Sequence, residues 1–149
     1  MSEPQLSGWL ADRQHFFPLR VYYAETDAGG VVYHAAYLQF AERARTEMMR
    51  LVNLDLGHLL DREGLLFAVR HCAIDYLRAA QLDDYLVVRS TLTALSGASL
   101  SVKQSIWRGK EEMTRLALRL ACLHRNGGVA RLPGFFRSGL QDFLNEKAD

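Results

Sequence analysis

The sequence has little that would indicate a disulfide-rich or nucleic-acid-binding protein. Only two of its 149 residues are cysteine, Cys72 and Cys122, and they form neither a CxxC motif nor a zinc-binding spacing with histidine. We interpret both as buried free thiols in a reducing compartment. Basic residues exceed acidic residues by one, 18 against 17, so the overall charge gives no reason to expect nucleic acid as a partner.

Long hydrophobic runs are also missing. A transmembrane helix needs about 20 consecutive apolar residues, and no segment of this sequence approaches that length. The first residues, MSEPQLSGWLADRQHF, lack the basic start and the apolar centre of a signal peptide. We therefore expect a cytoplasmic protein without a transmembrane segment.

Common catalytic and cofactor motifs are absent as well. The sequence contains no GxSxG, GxGxxG or P-loop pattern, and its five histidines show no HExxH or HxH spacing. We accordingly expect no metal and no cofactor. What remains is an ordinary globular composition, with 49% hydrophobic and 23% charged residues. It predicts a single domain over residues 1–149, with a core at about residues 16–133 and a short C-terminal helix after it.

Changes in hydrophobic period predict the first half of the fold. Residues 1–15 look irregular, and the segment FFPLRVYYAE predicts a strand that begins near Phe17 and ends at the turn Asp-Ala-Gly-Gly. From Ala36 the apolar residues recur at helical spacing, which predicts a helix of about four turns. The apolar stripe of this helix consists of Tyr37, Phe40, Ala41, Ala44, Met48, Leu51 and Val52.

The second half alternates with a period of two. After a loop that contains one helical turn and closes at Gly64, the segments LLFAVRHCAIDYLR, YLVVRSTLTAL, LSVKQSIW and MTRLALRLACLHR predict four strands, with hairpins at SGAS and RGKE. In the second of these strands we place Leu86, Val88, Leu92 and Ala94 on one face. The segment PGFFRSGLQDFLNEK predicts the C-terminal helix. The result is an α+β fold with one long helix and an antiparallel sheet of about five strands. Since one helix cannot cover such a sheet, we expect a second copy of the chain to bury part of it.

Asp27 is the residue most suggestive of chemistry. It lies in the turn DAGG, seven residues before His34. A turn aspartate most often only bonds nearby backbone N–H groups. A helix start follows, however, and its unpaired N–H groups can hold a carbonyl oxygen that becomes negative during attack. The residues alone therefore leave both roles open: a turn residue, or a nucleophile or general base acting on an activated acyl group.

The neighbours of Asp27 are less specific. Gly30 allows a positive φ in the turn and also allows a ligand to approach the backbone closely. A lone histidine such as His34 at a helix start is more often a packing or capping residue than a catalyst, so its backbone N–H is of more interest than its ring. Tyr33 is more often a core residue or a pocket wall than a catalytic residue.

The segment RVYYAETDAGGVVYHAAYLQFAERARTEMMR, from Arg20 to Arg50, resembles the hotdog-fold acyl-CoA thioesterases of the 4-hydroxybenzoyl-CoA thioesterase family. Within that family it is similar to the YbgC group, which in bacteria is associated with the Tol-Pal system. A looser similarity continues to about Pro133. The resemblance implies a hotdog fold, in which a curved antiparallel sheet wraps a long central helix. It also implies a homodimer or homotetramer with the site near the subunit interface.

The resemblance also implies specific roles. Asp27 matches the catalytic aspartate, and His34 matches the helix-start residue whose backbone N–H polarises the thioester carbonyl. The substrate-binding residues that it suggests are Tyr33, Tyr37, Ser99 and Lys103, and Gly30 of the turn is a further candidate. The implied reaction is hydrolysis of acyl-CoA to free acid and CoA, with acyl carrier protein as a second candidate partner.

Two other readings stay open. A hotdog hydratase would use Asp27 and His34 as an acid–base pair at the acyl chain. A non-catalytic scaffold would bind acyl thioesters or acyl carrier protein without cleaving them. Release of free thiol separates the thioesterase from both.

Overall fold

The structure, a computed structural model, describes residues 6–145. In this part of the chain, six antiparallel strands form one sheet in the order β1-β2-β4-β5-β6-β3. The strands are β1 (Trp9–Ala11), β2 (Gln14–Arg20), β3 (Leu65–Tyr76), β4 (Tyr85–Leu95), β5 (Ser99–Arg108) and β6 (Glu111–His124). The helices are α1 (Ala36–Leu51), α2 (Leu56–His58), which a π-helical turn at Leu59–Glu63 continues, and α3 (Gly134–Gln141). The predicted α+β fold is confirmed, with six strands instead of about five.

Helix α1 begins at Ala36, as the change of period predicts, and packs against β2 and β4. Its apolar stripe faces the sheet, and Phe40 and Met48 are almost completely buried there. Full burial of a side chain of this size stabilises the fold by about 1.5–3 kcal/mol. Leu51 and Val52, at the end of the predicted stripe, are only half-buried. The part of α1 from Ala36 to Met49 therefore anchors the helix to the sheet.

The inner face of the sheet supplies the other half of the core. Leu86, Val88 and Leu92 of β4 lie on it and are fully buried. Ala94 does not share this face, so that part of the prediction is wrong: a β-bulge between Leu92 and Ala94 interrupts the register and leaves Ala94 exposed. Strand β6 is confirmed as a strand, and its buried residues include Leu116, Leu118, Leu120 and Cys122.

The N-terminal part differs most from the prediction. Residues 9–15 are not irregular, because β1 pairs with β2 through a tight turn in which Asp12 and Arg13 have φ angles of 52° and 59°. Strand β2 begins at Gln14, before the predicted Phe17, and ends at Arg20. A 3₁₀ turn at Tyr23–Glu25 follows in place of the predicted strand end. Residues 1–5, also predicted to be irregular, lie outside the described residues.

The C-terminal helix is confirmed as α3, although the predicted Glu146 and Lys147 lie outside the described residues. Phe136 and Leu140 of α3 are fully buried, so the observed core includes residues beyond position 133. Cys122 is buried and Cys72 is half-buried, and both thiols are free. Burial raises the pKa of each thiol. No helix among residues 6–145 has the length and apolar character needed to cross a membrane.

Candidate active site

The loop between β2 and α1 folds around Asp27. The backbone N–H of Asp27 donates a hydrogen bond to the carbonyl oxygen of Val31 at 2.9 Å, and its carbonyl oxygen accepts one from Gly30 at 3.0 Å. Gly30 has a φ angle of 82°, in the left-handed region that favours glycine. The predicted Asp-Ala-Gly-Gly turn is therefore present, and the loop needs glycine at position 30.

The two carboxylate oxygens of Asp27 have different surroundings. Oδ1 accepts hydrogen bonds from the backbone N–H of Gly29 at 2.8 Å and of Val31 at 3.4 Å. Oδ2 has no hydrogen-bond partner among residues 6–145, and the side chain is exposed in the single chain. One oxygen thus holds the turn, and the other is available to a ligand.

The start of α1 presents two unpaired N–H groups. The N–H of Tyr33 donates to the carbonyl oxygen of Glu25 at 2.9 Å, and the N–H of Ala36 donates to the carbonyl oxygen of Tyr33 at 2.8 Å. Between them, the N–H groups of His34 and Ala35 donate to no group in the described part of the chain. No side chain of the described residues caps this end of the helix. These two N–H groups therefore carry the partial positive charge of the helix start.

Asp27 and His34 line the same cavity, whose volume is about 400 Å³. Tyr37 from the first turn of α1 contributes to the same side. The opposite wall consists of Tyr76, the last residue of β3, and the segment that follows it, which includes Arg78. The cavity thus joins a carboxylate with a free oxygen to a helix start with free donors. That is the donor and acceptor set required for attack on a carbonyl carbon.

Hydrogen bonds tie the two walls of this cavity together. The hydroxyl of Tyr76 donates to the carbonyl oxygen of His34 at 2.8 Å. The N–H of Ala80 donates to the hydroxyl of Tyr37 at 3.0 Å, and the carbonyl oxygen of Ala80 accepts from Val32 at 2.8 Å. Burial raises the pKa of both tyrosines, so both hydroxyls are neutral near pH 7. The sequence analysis missed Tyr76, because no local pattern indicates which backbone group its hydroxyl contacts.

The other predicted residues near Asp27 lie at the edges of the cavity. Gly30 lines an adjoining cavity of about 500 Å³, which Asp27 also lines. Tyr33 is half-exposed and lies outside both. Its ring centroid is 4.5 Å from that of His34. Among residues 6–145, no three or more His, Cys, Asp or Glu side chains are grouped so that they could hold a metal ion.

Ser99 and Lys103 lie away from this cavity in the single chain. Ser99 is at the hairpin between β4 and β5, where its hydroxyl is 2.5 Å from that of Ser96. Lys103 alternates with Val102 and Gln104, which face the core, so it lies on the outer face of the sheet. There it lines a separate cavity of about 730 Å³. One chain therefore brings together Asp27, His34 and Tyr37, but neither Ser99 nor Lys103.

Comparisons with known proteins identify the family. The family model of the thioesterase superfamily matches residues 29–114. The chain belongs to this superfamily. It is 44% identical over 114 residues to the acyl-CoA thioesterase YbgC of Haemophilus influenzae, and the aligned region covers 76% of this chain and 84% of the relative. It is 47% identical over 90 residues to the acyl-CoA thioester hydrolase YbgC of Escherichia coli O6:H1, and the aligned region covers 60% of this chain and 66% of the relative.

A solved structure agrees with this assignment. The probable thioesterase from Bartonella henselae superposes with a TM-score of 0.78 at 38% sequence identity, covering 80% of this chain and 99% of that one. The long helix and the curved antiparallel sheet are therefore the hotdog fold of the superfamily. The expected fold and the expected family are both confirmed.

Proposed function

We propose that the protein is an acyl-CoA thioesterase that releases a free acid and CoA. The observation that carries this proposal is the shared cavity of Asp27 and His34, in a chain of the thioesterase superfamily. The carboxylate offers the unpartnered Oδ2, and the helix start offers unpaired N–H groups. The names of the YbgC relatives, acyl-CoA thioesterase and acyl-CoA thioester hydrolase, support the same activity.

In the proposed reaction, the thioester carbonyl oxygen lies at the start of α1 and accepts a hydrogen bond from the backbone N–H of His34. Sulfur donates poorly into the carbonyl group and the thiolate leaves readily, so the carbonyl carbon is already activated. Donors fixed at the position of the developing oxyanion stabilise the transition state, and the loss of one typically costs about 100- to 1,000-fold in kcat. These parts suffice without a metal ion or a cofactor.

Asp27 acts in this scheme either as a nucleophile or as a general base. As a nucleophile, Oδ2 bonds to the carbonyl carbon, the carbon–sulfur bond breaks, and water then hydrolyses the anhydride. As a base, Oδ2 takes a proton from the water whose oxygen bonds to that carbon. A single turnover in ¹⁸O-labelled water distinguishes the two routes. In the nucleophile route, attack of water on the Asp27 carbonyl of the anhydride leaves ¹⁸O in Asp27, whereas the base route leaves ¹⁸O only in the product acid.

The remaining predicted residues fit this scheme as binding positions. Tyr37 forms a wall of the cavity, Gly30 lets the ligand approach the backbone, and Tyr33 covers the ring of His34. Ser99 and Lys103 lie outside the cavity of their own chain, so we propose that they contact ligand bound to another subunit. That arrangement requires the homodimer or homotetramer that the resemblance implies.

Strand β3 is the surface that we propose for pairing with a second copy. It is 12 residues long and forms an edge of the sheet, with β6 as its only neighbour among the described strands. A long unpaired edge exposes a row of backbone donors and acceptors that favours pairing with another strand. Pairing of β3 with its copy would continue the sheet across two subunits.

The test is free-thiol release from a panel of acyl thioesters. The panel contains short aliphatic, long aliphatic and aromatic acyl-CoAs, together with acyl carrier protein that bears the same acyl groups. Wild type and Asp27→Asn are compared, with Asp61→Asn as the control because Asp61 is exposed and lies in the π-helical turn, away from the cavity. We expect turnover by wild type and by the control and almost none by Asp27→Asn. If wild type releases thiol from neither the acyl-CoAs nor the acylated acyl carrier protein, the proposal is wrong.

No observation favours a hydratase. The ring of His34 forms no hydrogen bond with Asp27 among residues 6–145, and it lies against Tyr33 instead. The same panel of acyl thioesters distinguishes a hydratase from a thioesterase, because a hydratase changes the acyl double bond without releasing thiol. A scaffold would bind the thioesters and leave them intact. The association of the YbgC group with the Tol-Pal system and the expected cytoplasmic location are further parts of the proposal.

A further inference from the structure

A stack of planar side chains crosses the outer face of the sheet, from β1 through β2 and β4 to β5. The Cζ atom of Arg89 on β4 lies 4.3 Å from the ring centroid of Trp107 on β5 and 5.8 Å from that of Phe16 on β2. Phe16 in turn stacks on Trp9 of β1, with ring centroids 5.5 Å apart and an angle of 4° between the planes. Aromatic rings on both neighbouring strands therefore hold the guanidinium of Arg89 in one orientation.

Arg89 has no acidic partner in the described part of the chain. Its Nε is buried and has no hydrogen-bond partner among residues 6–145. None of the ion pairs formed by these residues includes Arg89, whereas Arg108 on β5 binds both Asp84 and Glu111. Burial of an N–H removes its hydration, and without a partner nothing replaces it. Arg89 is therefore a fixed cation that can still bind an anion.

A second cation lies close to Arg89. Both Arg89 and Lys103 line the cavity of about 730 Å³ on the outer face of the sheet. Arg89 is opposite Ser105 on β5, and Lys103 is two residues before Ser105 on the same face. Such diagonal neighbours are typically about 7–8 Å apart, within reach of long side chains. Lys103 also takes part in no ion pair among residues 6–145. One small anion can therefore contact both cations.

Hydroxyl groups complete this part of the cavity. The hydroxyl of Ser105 accepts a hydrogen bond from Nε1 of Trp107 at 2.8 Å, so its own hydrogen can be donated to a ligand. Thr91, which is opposite Lys103 on β4, is a second hydroxyl residue of the lining. The cavity thus offers neutral donors beside the two cations.

The two acidic residues of the lining lie on the side of β6 and β3. Asp75 is opposite Arg115 in the pairing of these strands, and Glu112 accepts a hydrogen bond from Nη2 of Arg115 at 2.5 Å. These carboxylates balance the charge of Arg115. The positive charge that no carboxylate balances therefore lies on the side of β4 and β5, at Arg89 and Lys103.

We propose that this cavity is an anion-binding site for a phosphate group, which Arg89 and Lys103 hold together with the hydroxyl of Ser105. A guanidinium offers two parallel donors, and an ammonium group adds a second positive charge. This set matches the three terminal oxygens and the nearly double negative charge of a phosphate monoester better than the two oxygens and single charge of a carboxylate. The site is separate from the Asp27 cavity, and the inference does not rest on the proposed thioesterase function.

The indole resonances of the wild-type protein give the first test. The chain has two tryptophans, Trp9 and Trp107, and Trp107 lines the cavity whereas Trp9 does not. We expect inorganic phosphate, added to ¹⁵N-labelled protein, to shift the Trp107 indole N–H resonance to a saturating value and to move that of Trp9 much less. The spectrum of Trp9→Phe assigns the two resonances, and sodium chloride at the same ionic strength should shift neither. If neither phosphate nor CoA shifts the Trp107 resonance, the inference is wrong.

Calorimetric titration of variants with inorganic phosphate tests the two cations. Arg89→Gln and Lys103→Gln should each weaken binding by about tenfold or more, because each removes a charge-assisted contact. Arg119→Gln is the control, since Arg119 is exposed on the outer face of β6 but does not line the cavity. Equal weakening in all three variants would show unspecific attraction to positive charge and overturn the inference. Unchanged binding in Arg89→Gln and Lys103→Gln would overturn it as well.

Comparison of CoA with dephospho-CoA, which lacks the 3′-phosphate, identifies the source of the phosphate group. A preference for CoA that disappears in Arg89→Gln assigns the site to the CoA of a ligand bound to another subunit. Equal affinities, with inorganic phosphate still bound, assign it to a free phosphate compound. If no phosphate binds and Arg89→Gln lowers the mass in light scattering, a second copy covers this face and the inference is wrong. A wild type that binds phosphate but releases no thiol would contradict the proposed function alone.

Discussion

Asp27 Oδ1 accepts a hydrogen bond from the backbone N–H of Gly29 at 2.8 Å, while Oδ2 of the same carboxylate has no partner among residues 6–145. The Asp27 side chain can therefore stabilise the turn through one oxygen and act as the reactive group through the other. The bonds to Oδ1 fix the direction of the carboxylate, and Asp27 lines the cavity together with His34. Fixing a reactive group before the substrate arrives lowers the entropy cost of reaching the transition state.

Two substitutions distinguish the role of Asp27 in the turn from its role in the reaction. Asp27→Asn keeps an oxygen that can accept from Gly29, so we expect its free energy of unfolding to match that of wild type. Asp27→Ala loses the bonds of the turn and should lower the free energy of unfolding by about 1 kcal/mol. Both variants should lose thioesterase activity. Urea unfolding alongside thiol release measures this, and an active Asp27→Ala variant would show that the carboxylate only shapes the turn.

Gln104 should be important for stability. It is fully buried on the inner face of β5 and donates to the carbonyl oxygen of Ala41 and to the hydroxyl of Ser90, both at 2.9 Å. Its own carbonyl oxygen accepts from Arg45 at 2.9 Å. Gln104→Met fills a similar volume but leaves these groups without partners, so it should lower the free energy of unfolding by at least about 2 kcal/mol.

The matched control for Gln104 is Gln39→Met, a change of the same residue type at an exposed position of α1. It should alter the free energy of unfolding by less than about 0.5 kcal/mol. Urea denaturation of both variants measures the difference. Equal stabilities would mean that water or a rearranged Arg45 compensates for the lost amide.

His15 should make the stability depend on pH. It is the one buried histidine among residues 6–145, and its Nε2 lies 2.6 Å from the carbonyl oxygen of Ser7 while Nδ1 has no partner. Burial is the main cause that lowers its pKa below the usual 6.5, against opposing contributions from Ser7 and Glu47. The unfolded chain therefore binds more protons than the folded one between the two pKa values. The contribution of His15 is complete above about pH 6.5 and is lost as the pH falls through the folded value.

Urea unfolding at pH 7.5 and at lower pH values tests this expectation. We expect the free energy of unfolding of wild type to decrease on acidification, and this decrease to be smaller in His15→Gln. The glutamine amide can still donate to the Ser7 carbonyl oxygen but cannot take up a proton. If both proteins lose the same free energy, carboxylates elsewhere cause the acid sensitivity, and His15 does not.

The edge strand β3 should control assembly. Val69 is half-exposed on this strand and lines a cavity of about 270 Å³ between α1 and the sheet. Val69→Lys places a charge where we expect the second copy, so it should shift the protein towards the monomer in light scattering and reduce thiol release. Leu10→Lys is the control, since Leu10 is also exposed but lies on β1 at the opposite edge. An unchanged mass for Val69→Lys would place the interface elsewhere.

Local signals account for the parts of the fold that the sequence predicts correctly. The change of period at Ala36 marks the start of α1, and the Asp-Ala-Gly-Gly turn appears because Gly30 adopts a positive φ. The short strand β1 leaves a weaker signal: its three residues alternate too briefly, and Arg13 is an unusual residue for the left-handed part of a hairpin turn.

Other features depend on contacts between distant segments. Gln104 lies on the core face of β5 because Arg45, Ser90 and Ala41 satisfy its amide, and none of these neighbours is adjacent in sequence. The hydrogen bond from the Tyr76 hydroxyl to the His34 carbonyl oxygen likewise joins residues that are far apart in the sequence. Lys103 is different: its alternation with Val102 already indicates the outer face of the sheet, so the sequence contained the signal that separates it from the Asp27 cavity.

The central claim is that the Asp27 side chain and the His34 backbone perform the chemistry, and thiol-release kinetics of two variants test it most directly. With the best acyl thioester of the panel, Asp27→Asn should lose at least about 100-fold in kcat. His34→Ala keeps its backbone N–H and should lose far less, while Asp61→Asn should match wild type. Near-wild-type turnover by Asp27→Asn would contradict the account and leave Asp27 as a residue of the turn alone.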